Sequence, residues 1–315
     1  MQRAVLVLGI VSAVALAGAG ASASSLGAAA RPAAAGPVTW QAHVGAQASD
    51  EALQALAFFP PDVFVNVGDS ITWSFDTAEP HTVTFEQGGQ APTSTTPSGG
   101  SFDGTNVINS GTIIGPGKQY SVVFTGQGDF TYLCLIHAKT MSARVHVNPA
   151  GSPYPHSQGE YDRQTRSLSQ LDLQDAADIR ADNLDAARDA GRDHVITGGG
   201  DAQVFVARFL PAVQHVRLGE TVVWSNPDSV TPHTVTLGPT PSNAAVGLDS
   251  PGHATISSNP VTSTISSGLI GIRRPNGMTF EVTFNAAGTF SYFCSLHRDL
   301  GMTGTIVVSG GADRD

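Results

Sequence analysis

Two short stretches of this sequence each combine a cysteine, a histidine and a methionine. The first is CLIHAKTM, at residues 134–141, and the second is CSLHRDLGM, at residues 294–302. The chain contains only two cysteines, and each stretch holds one of them. Thiolate, imidazole and thioether groups all bind metals, and the sulfur ligands select soft ions such as copper. These residue types at this spacing therefore predict a copper site in each half of the chain.

Each half supplies a further histidine from a distant segment, within PHTVTF in the first half and PHTVTL in the second. A trigonal His₂Cys set with a long axial methionine is the ligand set of type-1 copper sites. Zinc also binds Cys-His₂ sets, although structural zinc sites use more thiolates. We predict one type-1 copper ion per half. The expected ligands are His81, Cys134, His137 and Met141 in the first site, and His233, Cys294, His297 and Met302 in the second.

The two candidate sites belong to an internal repeat. The segment from Phe58 to Phe85 matches the segment from Phe209 to Leu237, and GDFTYLCLIHAKTMSARVHV matches GTFSYFCSLHRDLGMTGTIVV. Within the first copy, Val63, Val65 and Val67 alternate with polar neighbours, which is the period of a β-strand. We therefore expect two all-β domains of the sandwich or barrel type.

Each repeat resembles a cupredoxin, the blue-copper domain of plastocyanin and pseudoazurin. The motifs that carry the resemblance are GDSITW followed by PHTVTF, and GDFTYLCLIHAKTM. The resemblance implies two Greek-key β-sandwiches that bind two type-1 copper ions and transfer single electrons. The first copy departs from the pattern because its Cys-x2-His-x3-Met loop is one residue shorter than that of the second. In both copies a threonine, Thr82 or Thr234, follows the first histidine where plastocyanin commonly has asparagine.

The resemblance also implies a place where redox partner proteins dock. In this family the C-terminal histidine ligand is exposed within an apolar patch, and its ring edge is the route of the electron. The sequence neighbours of His137 and His297 are largely apolar, which suits a transient docking face of small area. The neighbours concerned are Leu135, Ile136, Ala138, Leu296 and Leu300.

Tandem cupredoxin domains also form multicopper oxidases and copper nitrite reductases. In those enzymes a histidine next to the thiolate ligand reaches a neighbouring copper, whereas neither cysteine of this chain has a histidine beside it. The other six histidines form no His-x-His pair. We therefore expect an electron carrier without a small-molecule substrate, and not an enzyme. Extracytoplasmic copper storage or delivery is the main alternative, followed by an oxidase or a nitrite-reductase-like enzyme.

The segments outside the repeats predict export and a linker. An apolar run followed by small residues near the N-terminus is typical of a signal peptide. We expect an extracytoplasmic protein, in the periplasm, at the cell envelope or secreted. The mature chain has no apolar stretch long enough for a predicted membrane span. The expected segments are a signal peptide at 1–23, a flexible Ala-rich segment at 24–37, domains at 38–149 and 194–309, a linker with a helix at 150–193, and a tail at 310–315.

The linker and the net charge complete the interpretation. Leu173, Ala177, Ala181 and Leu184 recur at steps of three and four, which predicts a helix resting with one side on a domain and ending at Gly191.

The net charge of −10 argues against nucleic acid as a partner, because binding to phosphates requires clustered Lys and Arg.

Overall fold

A computed structural model of the chain describes residues 36–86, 96–137, 140–201, 203–227, 231–239, 252–271 and 278–310. The expected signal peptide, most of the Ala-rich segment and residues 311–315 of the expected tail lie outside these ranges. Within them, no helix is long and apolar enough to cross a membrane. The elements are β1 (Thr39–Gln47), β2 (Leu53–Phe59), β3 (Asp62–Asn66), β4 (Ser70–Phe75), β5 (Thr84–Phe85), β6 (Ser101–Phe102), β7 (Ile108–Asn109), β8 (Lys118–Phe124), β9 (Gly128–Leu133), β10 (Ser142–Asn148), α1 (Gln158–Ala190), β11 (His194–Thr197), β12 (Val204–Val206), β13 (Phe209–Leu210), β14 (Val213–Arg217), β15 (Thr221–Ser225), β16 (Thr236–Leu237), β17 (His253–Ile256), β18 (Ile265–Ser266), β19 (Thr279–Phe284), β20 (Gly288–Phe293), a 3₁₀ turn (Arg298–Leu300) and β21 (Thr303–Ser309).

The first half of the chain folds into two facing sheets. One has the strand order β12-β2-β1-β4-β8-β6, and the other has the order β3-β10-β9-β5-β7. Alternation places one side of each strand inward, as in β4, where Ile71, Trp73 and Phe75 are buried. Trp73 donates its indole N–H to the hydroxyl of Tyr132 at 3.2 Å across the core. The sandwich therefore closes around a core of aromatic side chains.

The second half repeats the first strand for strand. Its sheets have the orders β13-β11-β15-β19-β17 and β14-β21-β20-β16-β18, which match those of the first half once β12 is set aside. Trp224 and Tyr292 take the places of Trp73 and Tyr132, with their ring centroids 5.2 Å apart. The expected fold of two cupredoxin-like Greek-key β-sandwiches is confirmed.

Strand β12 was not anticipated, because three apolar residues are too few to show a period. It follows β11 in the second half, but it pairs with β2 of the first half, with Phe205 opposite Gln54. The pairing is extended by the Ala207 N–H, which donates to the Ala52 carbonyl at 2.7 Å. All three residues of β12 are buried. This strand therefore joins the two domains through one continuous sheet.

The helix predicted in the linker is confirmed and is longer than its apolar spacing suggested. It begins at a capping box, in which the Ser157 N–H donates to the Glu160 carboxylate at 2.7 Å, and it ends at Gly191. Of its three buried residues, Tyr161 packs in the core of the first domain, whereas Ala176 and Ala187 pack on apolar side chains of both domains. The helix thus covers the junction of the two domains with one side.

Candidate metal centres

The first predicted site is assembled at one end of the first sandwich. The Cys134 Sγ atom lies 3.7 Å from Nδ1 of His81 and 3.6 Å from Nδ1 of His137. His81 and Cys134 are buried, and His137 is half-buried. Three donor atoms from two distant segments of the chain therefore meet at one point.

The second predicted site repeats this arrangement. The Cys294 Sγ atom lies 3.9 Å from Nδ1 of His233 and 3.5 Å from Nδ1 of His297, and the two Nδ1 atoms are 3.0 Å apart. All three side chains are buried. Nδ1 is thus the nitrogen that faces the sulfur at both sites, and Nε2 is the outer nitrogen.

The strands position these side chains in the same way in both domains. Cys134 directly follows β9, whose neighbour β5 lies just after His81. The backbone of His81 is fixed by two hydrogen bonds with Ile113, of 3.0 and 2.9 Å, and that of His233 by two with Ile270. Both donor segments of each site are therefore tied to the sheet by backbone hydrogen bonds.

The threonine after the first histidine ligand makes two contacts that link the donor segments. The Thr82 N–H donates to the Cys134 Sγ at 3.4 Å, and its hydroxyl accepts a hydrogen bond from the Leu135 N–H at 2.8 Å. Thr234 does the same with Cys294 at 3.4 Å and with Ser295 at 2.7 Å. A threonine therefore joins the histidine segment to the cysteine loop at both sites.

The two methionines close loops of different length with the same backbone hydrogen bonds. The Cys134 N–H donates to the Met141 carbonyl at 3.1 Å, and the Cys294 N–H donates to the Met302 carbonyl at 3.0 Å. The extra residue of the second loop is taken up by the 3₁₀ turn and by Gly301, which has a φ of 80°. Both methionine side chains are buried in the same apolar clusters as the cysteines.

Burial controls the protonation of the donor groups. It lowers the pKa of His81 to about 3, with His137 as the second cause, and that of His137 to about 4. It likewise lowers the pKa of His297 to about 4 and that of His233 well below 6.5. The imidazoles are therefore neutral at pH 7, which is the form that binds metals. Burial raises the pKa of both cysteine thiols, so a metal must displace their protons.

We expect the metal-free protein to lose stability as the pH falls from 6.5 to about 4. A histidine whose pKa is lowered by folding stabilises the fold above its unfolded pKa, and this contribution is lost as the pH falls through the folded value. The expected loss is on the order of 3 kcal/mol per fully buried histidine. Burial raises the pKa of Glu79 to about 7, so this carboxyl group stabilises the fold as the pH falls. It is a single group, and the four histidines together have the larger effect. Denaturant titrations across this range test the expectation, and a flat profile would contradict it.

The outer nitrogen of the first histidine lies against a glycine at both sites. Nε2 of His81 and Nε2 of His233 are buried without a hydrogen-bond partner. A Cβ atom on Gly45 would lie 3.1 Å from the first of these nitrogens, and one on Gly198 would lie 2.8 Å from the second. Both glycines have a positive φ, of 69° and 71°. From the sequence, Gly198 indicates only a turn, whereas in the structure it packs against the Nε2 atom of His233.

Replacing Gly198 by alanine is expected to displace His233 and to weaken metal binding at the second site. The new methyl group would contact the histidine ring and the Val206 carbonyl. The matched control is Gly219→Ala, because Gly219 also has a positive φ, of 84°, but no atom within 4 Å of its Cβ position. Both variants should lose about 1 kcal/mol from the backbone strain. Only Gly198→Ala should also lose copper affinity, and equal affinities would contradict the assigned role.

The donor chemistry fits a copper ion. Metal bonds of about 2.0–2.3 Å to nitrogen and sulfur, set at trigonal or tetrahedral angles, place neighbouring donors slightly under 4 Å apart. The observed sulfur-to-nitrogen distances are 3.5–3.9 Å. A set of one thiolate and two imidazoles beside a buried methionine favours copper over zinc, which takes more thiolates in its structural sites. Among the described residues, the two His-Cys-His sets are the groups of three or more such side chains that could hold a metal.

The second histidine ligands of the two sites, His137 and His297, have different surroundings. Part of the docking face expected from the sequence is therefore not at the surface. Ile136 beside His137 is 44% exposed and Leu296 beside His297 is 45% exposed. His297 itself is only 6% exposed, and Leu300 is buried in an apolar cluster with residues of the first domain. The prediction was therefore wrong for Leu300 and for the edge of His297. Ala138 lies outside the described residues.

Comparison with known proteins gives one family. Residues 43–148 and residues 194–309 both match the model of the copper binding proteins of the plastocyanin/azurin family. The chain is 32% identical over 94 residues to plastocyanin B'/B'' of Nicotiana tabacum, an alignment that covers 30% of this chain and 89% of that protein. It is 27% identical over 116 residues to the plastocyanin of Scenedesmus fuscus, with coverages of 37% and 99%.

Solved structures of the same kind are also similar. The oxidized form of plastocyanin from Dryopteris crassirhizoma shows 18% identity and a TM-score of 0.24, covering 37% of this chain and 99% of that one. A Cu(I) mutant of amicyanin shows 23% identity and a TM-score of 0.26, with coverages of 35% and 82%. With scores this low, the structural similarities add no support beyond that of the family model.

Proposed function

The chain belongs to the copper-binding plastocyanin/azurin family, and we propose that it carries single electrons between redox proteins with one type-1 copper ion in each domain. The observation that carries the proposal is the duplicated His-Cys-His set, in which both cysteines are buried and accept a backbone N–H at the sulfur. Its relatives include the plastocyanins of Nicotiana tabacum and Scenedesmus fuscus.

The proposed ligands are all eight predicted residues. His81, Cys134, His137 and Met141 would hold the first copper. His233, Cys294, His297 and Met302 would play these roles in the second domain. Copper bound there supplies the reversible exchange of one electron. Because the donor set is already held by the sheet and by Thr82 or Thr234, the side chains need to move little when the charge changes.

The location and the partners form part of the proposal. Residues 1–23 favour export, with the domains at 38–149 and 194–309 and the linker at 150–193 working outside the cytoplasm. Redox proteins would dock transiently through apolar contacts near a ligand histidine. Burial of both cysteines and of three of the four histidines favours retention of copper over its delivery to another protein.

Repeated redox cycling in the presence of a copper chelator tests the function. The loaded protein should be reduced by ascorbate and reoxidised by ferricyanide many times, with two copper ions kept while a Cu(I) chelator is present. Retention is expected because neither thiolate is open to solvent. Transfer of the copper to the chelator before electrons are exchanged would instead support storage or delivery, and the proposed carrier function would be rejected.

A further inference from the structure

Glu79 is a buried carboxyl group that the proposed function does not use. It belongs to the first domain, yet its Oε1 atom lies 3.7 Å from Nε2 of His297 in the second domain. The side chains of both residues are 7% exposed. Because Nδ1 of His297 faces Cys294, Glu79 approaches the outer nitrogen of this predicted ligand.

A network of buried amides fixes Glu79 in this position. Its backbone N–H donates to the hydroxyl of Thr77 at 3.1 Å, and this hydroxyl donates to the side chain of Gln54. The preceding residue, Ala78, donates its N–H to the side-chain oxygen of Gln47 at 2.7 Å. Gln54 is fully buried and Thr77 nearly so. The segment that carries Glu79 is thus held by β1 and β2 and cannot swing freely.

Apolar residues enclose the rest of the contact. The ring centroid of Phe205 lies 5.3 Å from that of His297. Phe205 packs in one cluster with Leu56 of the first domain and Leu300 of the second. Together with Glu79, these side chains cover the edge of His297, the edge that the family resemblance expected at the surface.

At the position equivalent to Glu79, the second domain carries a threonine. Aligning PHTVTF with PHTVTL places Thr231 opposite Glu79, so the second domain has no carboxyl group at that point. His137 is half-buried and lies next to the exposed Ile136. The two sites therefore share their donor sets and differ in what covers the outer histidine.

We propose that Glu79, a residue of the first domain, completes the second site. Its carboxyl group positions the His297 ring by contact with the outer nitrogen and covers this histidine from external partners. Those partners dock at His137 instead. The inference rests on the proposed function. Ligand histidines commonly direct their second N–H at a carboxylate, which fixes the orientation of the ring. The 3.7 Å separation is longer than a hydrogen bond, so the Glu79 carboxyl group lies against the outer nitrogen of a neutral imidazole and forms no ion pair with it at pH 7.

Chemical modification of metal-free protein tests the closure. Diethyl pyrocarbonate, with peptide mapping at each histidine, should modify His137 readily and His297 slowly. Glu79→Ala should remove the protection of His297, and Glu79→Gln should retain most of it because the amide keeps the shape and an acceptor oxygen. Glu281→Gln, on an exposed position of β19, is the matched control. Unchanged protection in Glu79→Ala would overturn the inference.

Copper affinity tests the positioning. Measured in a Cys134→Ser background, Glu79→Ala should weaken copper binding at the second site by about 10–100-fold, with partial rescue by Glu79→Gln. Measured in a Cys294→Ser background, the first site should keep its affinity, which shows that the fold is intact. An unchanged second site would overturn the positioning role. If no variant bound copper at all, the proposed function would fail, while the modification test would still decide the closure.

A matched pair of surface variants tests the docking position. Ile136→Lys and Leu296→Lys add the same charge at equivalent, equally exposed positions. With a mitochondrial cytochrome c as the probe, Ile136→Lys should slow electron transfer by about tenfold, because like charges then meet at the docking face. Leu296→Lys should leave the rate close to that of the unmodified protein. The reverse order would contradict docking at His137.

Discussion

Replacing either ligand cysteine by serine is expected to remove one of two copper ions and about half of the blue absorption. Cys134 and Cys294 are the only cysteines of the chain, so each site has a single thiolate source. Serine keeps the size of the side chain but supplies a hard hydroxyl that does not replace a soft thiolate. Metal analysis and visible spectra of Cys134→Ser and Cys294→Ser measure the effect.

The double variant is the control for this prediction. It should be colourless, and each single variant should keep the spectrum of the remaining site. The two sites lie in separate sandwich cores, so a loss at one should not empty the other. If one replacement left both the copper content and the absorption unchanged, that domain would not hold type-1 copper. It would then act only as a scaffold.

Replacing Phe205 by alanine is expected to destabilise the protein by about 3–5 kcal/mol and to loosen the second site. Phe205 is fully buried in β12, which pairs with β2 of the first domain. Its ring centroid lies 5.3 Å from that of His297 and 6.5 Å from that of His233. The cavity should weaken the domain junction and release copper from the second site first. Denaturant titration and metal loss over time measure these effects.

Phe280→Ala provides the matched control. Phe280 is also fully buried, but it lies in the core of the second sandwich against Trp224, with ring centroids 6.3 Å apart. Its replacement should reduce stability by a similar amount without opening His297 to chemical modification. If both variants exposed His297 equally, the domain junction would have no special role in covering the second site.

Much of the fold could be predicted from the sequence because the strand pattern of apolar and polar residues occurs in both copies of the repeat. Alternating apolar residues, as in β4, indicated strands, and the duplicated tryptophan and tyrosine positions form equivalent cores. The linker helix followed from its spacing of apolar residues and from Gly191. Strand β12 could not be predicted, since its three residues pair with a strand about 150 positions earlier in the chain.

The donor residues were accessible to sequence reasoning, and the differences between the two sites were not. Sulfur and imidazole ligands are recognised by residue type and spacing, and the structure brings each His-Cys-His set together. The burial of His297 depends on contacts with the other domain, whereas its sequence neighbours resemble those of His137. Glu79 gave no signal because a lone glutamate before a proline is typical of an exposed loop.

The most direct test of the central claim is the copper content of the loaded full-length protein, together with its visible and paramagnetic-resonance spectra. Two copper ions per chain, an intense thiolate-to-copper band and a type-1 resonance signal are predicted, because both domains present the same His-Cys-His donor set. A colourless protein that contains zinc or no metal would contradict the account.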